Sequence, residues 1–151
     1  MFQVYAITSL ILLVKYFVTI MYASNPDDHP EEDAQFIDMK APPDIKRRVR
    51  TAVNDMENIP MHFVVFWAAF IVQNYSNASG KGQNETVALT CLIMIYTGFR
   101  GLYTLCYVFA LQPWRSIAFM LSQMAVFATA IILVVSSFQV DMSIIFPNIS
   151  I

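Results

Sequence analysis

The sequence predicts an all-α integral membrane protein, a single domain over residues 1–151 folded as a four-helix up-and-down bundle. Its composition is 57% hydrophobic and only 13% charged, against about 25% charged in a soluble domain. Of its 20 charged residues, 14 fall between Asp27 and Glu57, which leaves three long stretches almost without charge. Spanning about 30 Å of hydrocarbon takes roughly 20 mostly apolar residues. Lipid offers no partner to a free N–H or C=O, so such spans are helical. This balance excludes a soluble globular enzyme and a disordered chain. A net charge of -2 gives nothing to attract a nucleic acid; the partner is the lipid bilayer.

The first span runs from about Phe2 to Ala23, interrupted by Lys15. It ends without an A-x-A-like cleavage site, so a signal anchor is expected rather than a cleaved leader. The second runs from about Ile59 to Tyr75, and the polar, helix-like stretch from Asp44 to Asn58 extends it out of the membrane. The third covers about Thr86 to Leu111 and the fourth Arg115 to Gln139. Between these two lies the tight Leu111-Gln112-Pro113-Trp114, where Pro113 ends one helix and Arg115 opens the next. Connections this short make antiparallel neighbours.

Loop one, Ser24 to about Asn58, carries Lys40, Lys46, Arg47, Arg48 and Arg50, and Arg115 sits beside loop three. The positive-inside rule therefore places loops one and three in the cytosol. The N-x-[ST] sequons at Asn74, Asn77, Asn84 and Asn148 all fall on the opposite side. That distribution fits the endoplasmic reticulum; in a mitochondrial membrane, the alternative, the sequons are irrelevant.

Ionisable groups inside a bundle are costly and usually face its interior or a wet cavity. On the second helix Arg50, Asn54 and Glu57 recur at i, i+4, i+7 and form one polar stripe, with Asp55 one residue off it. On the third, Arg100, Tyr103 and Tyr107 share a face. Arg115 and Ser116 place a cation and a hydroxyl at the positive end of the fourth helix, where an anion or thiolate is held. Lys15 stands alone on the first helix, roughly aligned with Thr8, Thr19 and Tyr22. Each has a plainer alternative: Lys15 snorkels to the surface, Arg100 is structural glue paired with Glu57 or Asp55, Arg115 is an interface anchor, and the tyrosines are belt aromatics. Convergence favours a site, because three cations (Arg50, Arg100, Arg115) near the cytosolic ends of three helices ask for an anionic ligand.

Other chemistry has no residues to carry it. His29 and His62 give neither a bis-His haem site nor an H-E-x-x-H zinc site, so no metal is expected. Cys91 and Cys106 lie 15 residues apart on one helix, roughly 22 Å, too far to bridge. Gly80-Lys81-Gly82 is a turn rather than a phosphate loop.

The stretch Arg50-Thr51-Ala52-Val53-Asn54-Asp55-Met56-Glu57-Asn58 resembles the R-x-x-x-N-D-x-E-N signature of the MAPEG family, the membrane-associated proteins of eicosanoid and glutathione metabolism. It is most similar to the microsomal glutathione transferase and prostaglandin E synthase branch. Asn25-Pro26-Asp27-Asp28 resembles that branch's N-P-E-D, and Arg100 with Tyr107, then Arg115-Ser116, resemble its third- and fourth-helix motif. The resemblance implies a homotrimer with glutathione bound between subunits on the cytosolic side, lined by Arg50, Asn54, Glu57, Arg100, Tyr107, Arg115 and Ser116, with Tyr103 beside them. Glutathione offers two carboxylates for Arg50 and Arg100 and an ammonium for Glu57. Its thiol, with a free pKa near 8.5, needs a cation or hydroxyl to ionise near neutral pH; Arg115, helped by Ser116, is the candidate activator. The second substrate is then an apolar electrophile or a lipid hydroperoxide arriving from the membrane. Ala52 and Tyr103 stand where branch members often carry His, and Phe119 where the prostaglandin branch has Tyr. Two alternatives therefore stay open: a glutathione-dependent eicosanoid isomerase, and a non-catalytic subunit of a larger membrane complex.

Overall fold

The structure, a computed structural model, describes residues 2–23, 43–78 and 83–140. They form four helices: α1 Phe2–Ala23, α2 Pro43–Ala78, α3 Gln83–Val108 and α4 Trp114–Gln139. No strand occurs among the described residues. The Asn25-Pro26-Asp27-Asp28 motif, the Gly80-Lys81-Gly82 turn and the Asn148 sequon lie outside them. Three helices are long and apolar enough to cross a membrane: Phe2–Ala23, Glu85–Val108 and Trp114–Phe138. The fourth, α2, falls short of that composition because His62, Gln73, Asn74 and Asn77 dilute its apolar segment. The predicted extension of α2 is present as one continuous helix of 36 residues, about 54 Å long at 1.5 Å per residue. Pro60 lies inside it on an exposed face, where its missing N–H withdraws the bond that the Met56 carbonyl would accept.

α2 and α3 form the middle of the bundle; α1 packs on both from one side and α4 on both from the other. Each buried face recurs at alternating steps of three and four. On α1 these positions are Tyr5, Thr8, Leu12 and Thr19, with the half-buried Lys15 in register. On α2 they are Ala52, Asp55, Ile59, His62, Phe66, Ala69, Gln73 and Ser76, and on α3 Leu89, Ile93, Tyr96, Arg100, Tyr103 and Tyr107. On α4, Ala118, Ser122, Ala125 and Thr129 make a seam of small residues that lets helices approach closely where apolar burial gives no drive in lipid. The surface is correspondingly apolar, with Leu10, Phe17, Val64, Met120, Phe127 and Phe138 all exposed.

An apolar cluster of Tyr5, Leu12, Ile59, Phe66, Phe70, Leu89, Ile93 and Tyr96 fills the mid-bundle. Most polar groups in and around it are satisfied locally, the buried Tyr5 hydroxyl being without a hydrogen-bond partner among the described residues. His62 Nδ1 and the Tyr96 hydroxyl share a hydrogen bond of 2.8 Å, and Trp67 Nε1 donates to Ser9 Oγ at 3.2 Å. The Thr8, Thr19 and Thr129 hydroxyls donate to carbonyls one turn back. At the far end, Ser136 Oγ lies 2.8 Å from Gln73 Oε1 and 3.2 Å from Glu85 Oε2, and Asn77 Nδ2 donates to Thr86 Oγ1 at 2.8 Å. Two sequon amides are thus committed within the helices, Asn77 to Thr86 and Asn74 to the Phe70 carbonyl.

α3 ends three residues before the expected Leu111. The Leu111 N–H donates to the Cys106 carbonyl and Ala110 N–H to that of Tyr107, the paired bonds of a Schellman end. The residue in the left-handed position is Ala110, at φ 55, where a side chain is disfavoured and glycine is usual. Pro113 then opens α4 with no side-chain cap. Ala110→Gly should therefore stabilise the protein by about 1 kcal/mol, read as a rise in the unfolding midpoint in detergent; a fall would place the strain elsewhere.

Candidate functional site

At the end of the bundle where α3 turns into α4, the two helices and α2 enclose a crevice of about 300 Å³. It is lined by Asn54, Tyr103, Tyr107, Arg115, Ser116, Phe119 and Met120. Each reaches it by helical spacing. Tyr103 and Tyr107 are one turn apart on the last turns of α3, and Arg115, Ser116, Phe119 and Met120 are the first turns of α4. The Arg115 guanidinium lies 4.5 Å above the Tyr107 ring, and Tyr103 packs against both Tyr107 and Phe119. α4 begins without a side-chain cap; the Arg115 N–H donates to the Leu111 carbonyl and the Ser116 N–H to that of Pro113, so the helix start adds its dipole to the cation beside it rather than free donors. Ser116 is exposed at the mouth. One wall is apolar (Phe119, Met120) and the other carries a cation, a hydroxyl, an amide and two phenols.

Five of the eight sequence candidates meet here: Asn54, Tyr103, Tyr107, Arg115 and Ser116. The other three do not line the crevice. Arg50 and Glu57 are exposed on the outer face of α2. Arg100 is fully buried behind the crevice, where its Nη2 donates to Asp55 Oδ1 at 2.8 Å, to Asn54 Oδ1 at 2.9 Å and to the Asn54 carbonyl at 3.3 Å. Its guanidinium also lies 5.1 Å from the Tyr103 ring centre. Arg100 thus touches two crevice residues from behind and presents nothing to the crevice itself.

Lys15 is neither alone nor snorkelling. Its ammonium pairs with Asp55 Oδ2, so one buried carboxylate holds a cation from α1 and a cation from α3. Of the two counterions expected for Arg100, Asp55 is the one that pairs and Glu57 is turned away, because Asp55 lies in the buried register of α2 and Glu57 outside it. Sequence reasoning missed Met120 and gave Phe119 no place in the site; the available signal was their position one turn after Ser116 and Arg115 on the same helix face.

A family model described as MAPEG family matches residues 4–135. The chain belongs to the MAPEG family. The match runs from α1 through most of α4 and contains every residue of the crevice and of the Lys15–Asp55–Arg100 cluster. Members of the MAPEG family generally use glutathione as a substrate or cofactor, and membership supports a membrane function related to glutathione transfer or eicosanoids in general. No curated protein matches the sequence closely.

Removing one partner of a buried ion pair leaves charge uncompensated, at about 3–5 kcal/mol. Asp55→Asn leaves Lys15 and Arg100 facing each other without their carboxylate, and should destabilise this MAPEG protein by about that amount in detergent unfolding titrations. A loss under about 1 kcal/mol, the scale of an exposed pair, would mean that the carboxylate does not hold the three helices together.

Proposed function

We propose that this chain is a membrane-bound glutathione transferase that conjugates glutathione to apolar electrophiles, with reduction of lipid hydroperoxides as a related activity. The observation that carries this reading is Arg115, held over Tyr107 at the start of α4, with Ser116 beside it. A thiol bound there meets a cation, a hydroxyl and a helix N-terminus, the three features that favour a thiolate. Asn54 and the phenols of Tyr103 and Tyr107 offer hydrogen bonds to the peptide, and Phe119 and Met120 offer an apolar wall to the second substrate.

In conjugation the thiolate sulfur bonds to the electrophilic carbon, the leaving group departs with the electron pair, and the thiol proton passes to water. In hydroperoxide reduction two glutathiones are oxidised to the disulfide while the hydroperoxide becomes an alcohol and water. Arg50 and Glu57, exposed on α2, fit this reading if a second copy brings that face to its neighbour's crevice, as in a homotrimer; there they would meet a glutathione carboxylate and the ammonium. The sequons favour the endoplasmic reticulum as the membrane.

A titration of detergent-purified protein with glutathione tests the reading. Saturation at a hundred times the dissociation constant should add about 2.7 kcal/mol of stability and raise the unfolding midpoint. Arg115→Ala should retain most of that shift and lower conjugation of a dinitrochlorobenzene electrophile by about 10²–10³-fold, the range for loss of one preorganised stabilising donor. No shift at millimolar glutathione would favour the non-catalytic subunit instead.

A further inference from the structure

Arg100 is fully buried, yet its Nε and Nη1 have no hydrogen-bond partner among the described residues. Buried donors of a charged group are rarely left unmade, since each carries a desolvation penalty. An arginine beside a buried carboxylate ordinarily closes a two-pronged pair that engages both oxygens. Here only Nη2 reaches Asp55, and only Oδ1 receives it. The other oxygen, Oδ2, holds the Lys15 ammonium of α1, a like charge beside the place a second prong would take. Nη2 of Arg100 is turned toward α2, where the same nitrogen holds the Asn54 side chain at 2.9 Å.

We propose that Lys15 is a positioning residue for the crevice: by occupying the second oxygen of Asp55, it keeps Arg100 in the one-pronged arrangement that holds Asn54 and backs Tyr103. Lys15 touches neither the crevice nor anything bound in it. It acts through competition for a carboxylate oxygen, and it links α1 to a site built from α2, α3 and α4. Without it, Arg100 swings to engage both oxygens of Asp55, brings one of its two orphaned donors onto Oδ2 and turns Nη2 away from Asn54.

This inference deepens the glutathione reading and rests on it for its ligand, so the test has one arm that needs no ligand. Purified Lys15→Met should bind glutathione about tenfold more weakly by calorimetry, the size of one hydrogen bond to a charged group, with kcat at saturating glutathione unchanged. In the ligand-free protein, the ¹⁹F resonance of 3-fluorotyrosine at position 103 should move in the same variant. Lys15→Arg, which restores a cation on Oδ2, should return both readouts toward the starting protein.

The deciding variant is Lys15→Met combined with Asn54→Ala. If Lys15 acts by way of Asn54, the two losses are not additive, and the double variant binds glutathione no more weakly than Asn54→Ala alone. A purely structural Lys15 predicts additive losses instead. Should Lys15→Met not fold, Lys15→Gln takes its place, its neutral amide holding Oδ2 less strongly and giving the same changes at smaller size. An unmoved ¹⁹F resonance, or additive losses in the double variant, overturns the proposal. If the unsubstituted protein binds no glutathione, the transferase reading falls and the ¹⁹F arm still decides the role of Lys15.

Discussion

Asp55 sits at the point on which the bundle depends. In a bilayer, apolar side chains gain nothing by moving from lipid to the protein interior, so helices are held by packing and by polar contacts. One buried carboxylate here engages an ammonium from α1 and a guanidinium from α3 while standing on α2. The three helices are thereby fixed in rotation and in depth, because neither cation has another acid within the described interior. α4 is recruited differently, through the small-residue seam and a Gln123–Asn58 contact of 3.2 Å. The crevice opens between the element placed by charge and the element placed by packing.

That arrangement separates support from chemistry. Arg100 and Asp55 lie fully buried and act on the crevice from behind, whereas Arg115 and Ser116 stand at its mouth. The division follows from dielectric. A cation in the bundle interior must be paired to be tolerated, and a paired cation has little left to offer a ligand. A cation at a helix end near the interface remains solvated enough to stay unpaired and charged. Of the cations expected to serve an anionic ligand, the structure leaves Arg115 in the crevice and Arg50 on an outer face.

Much of the architecture was legible in the sequence. Helix number, the extension of α2 from Asp44 and the turn before Arg115 all follow from apolar run length, charge placement and proline. The buried faces were harder to read, because in α1 the inward positions are Tyr5, Thr8, Leu12, Lys15 and Thr19 and the outward ones are leucines, isoleucines and valines. A search for an apolar face therefore finds no side to prefer, and the polar residues mark the interior instead. The alignment of Lys15 with Thr8 and Thr19 carried that information. The end of α3 was misplaced by three residues, since Ala110 continues a helical pattern while the chain leaves the helix through a left-handed residue.

By itself, the sequence determined that this protein is helical, that it belongs in a membrane, and which polar residues have to be accounted for inside it. Hydrocarbon dictates those three results, since it forbids unpaired backbone and isolated charge. Tertiary structure alone decided which charges cancel and which remain available. Asp55 and Glu57 are two residues apart and chemically alike, yet a turn of about 200° around the helix axis puts one between two cations and the other on the outer surface. Pairing depends on which face meets a neighbouring helix, and that is set by packing between elements distant in the chain.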